Sequence, residues 1–289
     1  MDRRNFIKSG LLLSGALFIP KNNLFPPVAN SFDEIELIKK KLADYGKSLN
    51  DMDLPSLISS IGQDFLGTPY VAGTLDVNTE EEKLILKISS FDCVTFVENV
   101  LTFSRLIYIQ NKSSVDDFRN ELTKIRYRNG VIDDYTSRLH YFCDWIYDNE
   151  KKGIVKDITE DIGGILYDKE INFMTSHTDS YPQLKNNKSL VRKMYEIEDS
   201  INLRKKYYLK RFGLKQNQSQ IQTGDIIALT TEIAGLDVTH TGIALNDNGK
   251  VLFLHASQKA GEVIISNEGL LGYINSIKKC TGIMVARPF

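Results

Sequence analysis

The chain has 289 residues, with 36 Lys+Arg against 37 Asp+Glu and a formal net charge of −1, which excludes a strongly basic nucleic-acid binder and a highly acidic chain. Hydrophobic residues at 42% and charged residues at 25% fit one large globular domain or one domain with an insertion. Three scattered cysteines exclude a disulfide framework and a zinc ribbon.

Residues 1–31 open with Arg3, Arg4 and Lys8, run apolar from Gly10 to Ile19, and then turn polar with prolines. That order is the order of an export signal. The apolar run is about half the ~20 residues of a membrane-spanning helix, so no stable membrane span is expected. Arg3-Arg4-Asn5-Phe6-Ile7-Lys8 resembles a twin-arginine export motif, which implies a periplasmic protein. An oxidising compartment permits disulfides, and Cys143 with Cys280 is the pair open to one.

The mature chain, 32–289, begins with helical spacing over Asp33–Leu49 (Ile35, Leu37, Ile38, Leu42, Tyr45) and again over Pro55–Phe65. Gly67-Thr68-Pro69 stops the second helix, and Tyr70–Gly73 is short and irregular or extended. Phe91 to about Ile109 carries the clearest helical pattern. Asp92 is its N-cap, Phe91 and Phe96 sit at the positions of a hydrophobic staple, and Cys93 falls on the first helical residue. Val115–Ile125 and Leu139–Tyr147 also read as helices, with a loop dense in Arg and Tyr between them. Lys185–Lys215 reads as a lysine-rich helical region with a solvated face. From Gly224 the pattern changes to short apolar strands: Asp225–Leu229, Thr241–Leu245 and Lys250–Leu254, with further strands at Val263–Ser266 and Gly282–Pro288. Asp247-Asn248-Gly249 is a hairpin signal. Helices first and antiparallel strands last make an α+β fold, with a helical insertion at about 110–220.

Cys93 at a helix start meets partial positive charge and unsatisfied backbone N–H groups, which favour a thiolate and can hold an oxyanion. His240 and His255 lie on the two arms of the predicted hairpin. A two-residue turn at Asp247-Asn248 sets them directly opposite; one at Asn248-Gly249 sets them diagonal on one face; a three-residue loop separates them. On one face, one histidine serves as general base and acid and the other fixes its tautomer. His140 and His177 lack metal-ligand spacing, no Gly-rich phosphate loop is present, and no cofactor or metal is expected.

Gly67-Thr-Pro-Tyr-Val-Ala-Gly73 and Phe91-Asp-Cys-Val-Thr-Phe-Val97 resemble the front half of the NlpC-type papain-like cell-wall hydrolases. Thr223-Gly-Asp-Ile-Ile-Ala228, Thr239-His-Thr-Gly-Ile-Ala-Leu245 and Leu254-His-Ala-Ser257 resemble the back half. Val94-Thr95 departs from the Ser-Gly that commonly follows the cysteine there, and the gap from Cys93 to His240 is longer than in compact members. Ile125-Arg-Tyr-Arg-Asn-Gly130, Tyr135-Thr-Ser-Arg-Leu-His-Tyr141, Asp144-Trp-Ile and Gly235-Leu-Asp-Val-Thr-His240 are similar to the N-acetylmuramoyl-L-alanine amidase-like branch.

The resemblance implies a papain-like fold with Cys93 as nucleophile, His240 as base and acid, and His255 as the orienting third residue. Tyr70 is implied beside the thiolate as oxyanion or thiolate support. The implied substrate is a peptidoglycan fragment, cut between the lactyl group of N-acetylmuramic acid, with the anhydro sugar as a candidate form, and L-alanine. Arg126, Arg128, Tyr135, Arg138 and His140 are the candidate substrate-binding cluster, with arginine forks for peptide carboxylates and aromatic faces for sugars. Asp92 is a cap first and a candidate partner for a substrate amine. A monomer that binds no nucleic acid is expected. The same residues also fit an endopeptidase cutting between γ-D-glutamate and the diamino acid; a non-catalytic wall-binding module would not need the cysteine and both histidines together.

Overall fold

The computed structural model describes residues 31–76, 81–110 and 114–289. The export-signal reading falls outside them except for Ser31, whose hydroxyl accepts the Glu34 N–H and caps helix α1, Phe32–Ser48. Helix α2 covers Leu54–Asp64 and α3 covers Cys93–Arg105, ending in one π-helical turn, Leu106–Gln110. Helix α4 is Val115–Arg126 and α5 is Phe142–Lys151. The α5 start lies three residues later than the sequence pattern suggests, because Leu139–Tyr141 belong to the loop.

The stretch 110–220 is not purely helical. It supplies strands β1 (Val155–Asp157), β2 (Ile165–Leu166) and β3 (Tyr207–Lys210) beside helices α6 (Phe173–Ser176), α7 (Lys188–Asn202) and α8 (Leu214–Asn217). Strands β4 (Ile226–Thr231), β5 (Val238–Asp247), β6 (Lys250–Ser257) and β7 (Glu262–Ile265), helix α9 (Gly269–Ser276) and strand β8 (Cys280–Pro288) complete the order. The antiparallel sheet runs β2-β3-β8-β4-β5-β6-β7, with β1 also paired to β8.

Both faces of this sheet are buried, which explains why its strands read as continuous apolar runs rather than alternation. Ile226, Ala228, Met284 and Ala286 face one core with Phe96, Val100 and Leu101 of α3. Ile227, Leu229, Ile283 and Val285 face a second core with Leu270 and Ile274 of α9. Cys143 lies in the first core and Cys280 in the second, and both are free thiols, so the pair left open by the sequence is not joined.

Candidate active site

The hairpin places the histidines. Asp247 pairs with Lys250 across an Asn248-Gly249 turn, with Asn248 and Gly249 both at positive φ. This is the diagonal register. His240 and His255 share a face, and His240 Nε2 meets His255 Nδ1 at 2.7 Å. Between them on that face stands Gly242. A Cβ there would lie 2.7 Å from the Phe253 ring and 2.8 Å from His255 Cβ, so only glycine lets both rings cross the strand. The β4–β5 register also shifts just past the Leu229–His240 pair, a bulge that aims His240.

Phe253 stacks on His255 at 4.6 Å between ring centroids, and Tyr273 of α9 lies 4.6 Å from His255 and 5.8 Å from His240. His255 Nε2 meets Ser266 Oγ at 2.9 Å. Burial pushes His240 well below the usual histidine value and His255 down to about 4, so both are neutral at pH 7.

Helix α3 places the cysteine. The Asp92 carboxylate accepts the Thr95 N–H at 2.8 Å, and the Asp92 N–H donates to Thr95 Oγ1 at 2.9 Å, a reciprocal capping box. Thr95, where Ser-Gly was the common pattern, thus has a structural task. Phe91 and Phe96 meet edge-on at 5.8 Å, the staple expected from sequence. Cys93 follows at the first helical position and is 8% exposed. Its thiol is pushed up to about 12, first by burial and then by the Asp92 charge; backbone N–H groups of Thr241, Cys93 and Val94 act the other way. The helix start therefore pulls in the expected direction, and burial outweighs it.

Tyr70 is held beside the thiol by its own backbone. Its N–H donates to Gly261 O at 2.7 Å, and it bridges to Phe91, the residue before the cap. Thr74 Oγ1 donates to Asp92, tying the same loop to the helix start. Burial and the neighbouring Cys93 raise the Tyr70 hydroxyl, and the same two causes raise Tyr273. Tyr273 and Ser266 were missed by sequence reading. Helix α9 has two glycines and no side-chain cap, so it sends no clear signal.

One cavity of about 440 Å³ is lined by Cys93, His240, Tyr70, Tyr273, Asp92 and Thr241 at one end. Arg126, Tyr135, Arg138, His140 and Asp76 line it further along. The arginine forks are already engaged. Arg126, 1% exposed, meets Glu98 at 2.6 Å and donates to Ile85 O. Arg138 meets Asp76 at 2.7 Å and Glu82 at 3.6 Å, and lies over the Tyr135 ring. Arg128 does not line the cavity; it meets Asp144 at 2.7 Å, and its charge still reaches His140. His140 Nε2 lies 2.7 Å from the Tyr135 carbonyl. A carbonyl only accepts, so Nε2 carries the proton and Nδ1 is an acceptor. His177 instead meets Phe173 O, apart from the site.

Among the described residues, no group of three His, Cys, Asp or Glu is placed to hold a metal ion, and no helix is long and apolar enough to cross a membrane.

Residues 60–283 match a family model described as AmiA-like, N-acetylmuramoyl-L-alanine amidase-like. A crystal structure of an N-acetylmuramoyl-L-alanine amidase from Bacteroides uniformis is similar at a TM-score of 0.77 and 38% identity, covering 82% of this chain and 99% of that one. A Bacteroides fragilis protein named a "putative xylanase" gives a TM-score of 0.74 at 38% identity, over 79% of this chain and 99% of its own. A Legionella pneumophila protein at 24% identity shares the fold, with a TM-score of 0.66 over 90% of this chain and 97% of that one. No curated protein matches.

Proposed function

Because the chain belongs to the N-acetylmuramoyl-L-alanine amidase-like family, we propose that it is a cysteine-dependent amidase of peptidoglycan fragments with an NlpC-type, papain-like site. The observation that carries this reading is one cavity lined by a helix-start cysteine and by His240, whose ring is hydrogen-bonded by the buried His255 behind it. With Nε2 of His240 engaged by His255, Nδ1 is the ring nitrogen left for the thiol. His240 takes the Cys93 proton there, and the sulphur attacks the lactyl carbonyl carbon. The Cys93 N–H and the Tyr70 hydroxyl hold the oxyanion. His240 returns its proton to the L-alanine nitrogen as the C–N bond breaks. Water then splits the thioester into a lactyl carboxylate and the free thiol.

The cavity's two lining arginines are each paired with a carboxylate, Arg126 with Glu98 and Arg138 with Asp76, while Arg138 Nε has no hydrogen-bond partner among the described residues. Tyr135 offers an aromatic wall, and His140 Nδ1 accepts an amide N–H. Glycosidase chemistry needs two carboxyl groups flanking the bond. Here, of the carboxylates that line the cavity, Asp92 is committed to the cap, Asp76 to Arg138, Glu98 to Arg126 and Asp237 to the Cys143 N–H. Export through a signal in residues 1–31, to act on wall fragments in the periplasm as a monomer, belongs to the same reading.

The test incubates the purified protein and its Cys93→Ala variant with disaccharide-peptides, with and without the anhydro sugar, and weighs the products. Free disaccharide plus a peptide starting with L-alanine is expected, with the variant below about a hundredth of wild-type rate. A disaccharide still carrying L-Ala-D-Glu would assign the endopeptidase cut instead. No cleavage, on fragments or intact sacculi, would leave a wall-binding module.

A further inference from the structure

We propose that Ser266 sets the tautomer of the histidine pair, as the acceptor that closes a one-way hydrogen-bond chain running from His240 through His255. This rests on Cys93 and His240 being nucleophile and base. A neutral imidazole carries one N–H. For His240 to take the thiol proton on Nδ1, its own N–H must sit on Nε2. That N–H points at His255 Nδ1, 2.7 Å away, which must therefore be bare. The His255 proton then sits on Nε2 and points at Ser266 Oγ, 2.9 Å away, which must accept. If Ser266 donates instead, every proton in the chain reverses. His240 then presents an N–H to the thiol and has no lone pair with which to act.

The surroundings leave this choice to Ser266. His255 is fully buried and Ser266 is 3% exposed. The Ser266 N–H is committed to Phe253 O at 2.9 Å, and its carbonyl accepts the Gly269 N–H at 3.0 Å. Phe253 and Tyr273 fix the ring plane of His255. The titratable group packed on both rings is Tyr273, on which Cys93, Glu268 and Cys280 act in turn. Neither histidine hydrogen-bonds a carboxylate, so the chain orients His240 through neutral dipoles. In the forward step the S–H bond breaks, its electron pair stays on sulphur, and the proton joins His240 Nδ1. The two Nε2–H bonds stay where they were.

The experiment labels the histidines of the full chain with ¹⁵N and reads their tautomers from two-bond ¹⁵N–¹H correlations at pH 7. The protein has four histidines, and the Nε2–H form of His140 is an internal reference. Wild type should show His240 and His255 both protonated on Nε2. Ser266→Ala should move His240 to the Nδ1–H form and slow Cys93 alkylation by iodoacetamide about tenfold to a hundredfold, with muropeptide kcat falling equally and KM unchanged. Ser266→Thr, which keeps the hydroxyl, should restore all three. A wild-type His240 protonated on Nδ1, or a folded Ser266→Ala variant with unaltered tautomers and alkylation, overturns the proposal. Spectra and alkylation need no substrate, so expected behaviour there without muropeptide cleavage would sink the amidase reading and leave Ser266 its role.

Discussion

At the scale of single residues, burial decides the chemistry. Cys93 is pushed up to about 12, while His240 lies well below 6.5 and His255 falls to about 4. The pair therefore rests as thiol and imidazole rather than as an ion pair. His240 must remain neutral to act as base, so the acid limb of kcat/KM should lie below 6.5, with activity retained at pH 5.5. A limb centred at or above 6.5 would contradict the burial argument. The stability sign follows from the same shift. Below 6.5 the unfolded chain binds a proton that buried His255 refuses, so stability falls as pH drops from 6.5 towards about 4. A His255→Asn variant, compared with wild type by denaturant unfolding across that window, should show a shallower slope, the remainder coming from buried His240 and His140. Gly242 is the second residue on which the site turns. Gly242→Ala should cost about 1–3 kcal/mol by overpacking and break the His240–His255 bond, so activity should fall further than stability alone explains.

Among the elements, the hairpin and the cysteine helix were the most legible. Asn248-Gly249 fixes the register through turn geometry, and one of the two same-face arrangements predicted for the histidines is the one found. Asp92, Phe91 and Phe96 announced the start of α3 because caps and staples are local features of sequence. Strands β1 to β3 were not legible, since two to four residues hold no periodicity and they form only against strands far away in the chain. The partners of Arg126, Arg128 and Arg138 were hidden for a similar reason: they come from other segments. Asp92→Ala should destabilise the protein by about 1–2 kcal/mol through the lost cap, measured by urea unfolding, and should also free the Tyr70 loop by removing the Thr74 contact. Thr95→Ser keeps both cap partners and should cost about 0.5–1.5 kcal/mol, for the buried methyl alone.

For the whole molecule, one sheet buried on both faces joins the late strands to the earlier helices, and the α+β class was readable from their order. Beneath the cavity, Arg126, Glu98, Trp145 and the Ile85 carbonyl bind α4, α3, α5 and the 85–88 segment together. Arg126→Met leaves a buried, unpaired carboxylate and should cost about 3–5 kcal/mol. The double variant Arg126→Met with Glu98→Leu should recover most of that loss; additive losses in unfolding experiments would show that the pair is not coupled.

The sheltered thiol has a consequence for durability. Peroxide attacks cysteine as the thiolate, and Cys93 holds almost none at neutral pH; Cys143 and Cys280 are buried in separate cores. A protein with three unpaired thiols should thereby resist oxidative inactivation at neutral pH. What exposes it is alkali: each step up in pH enlarges the fraction open to irreversible oxidation, so its working life should shorten on the basic side first.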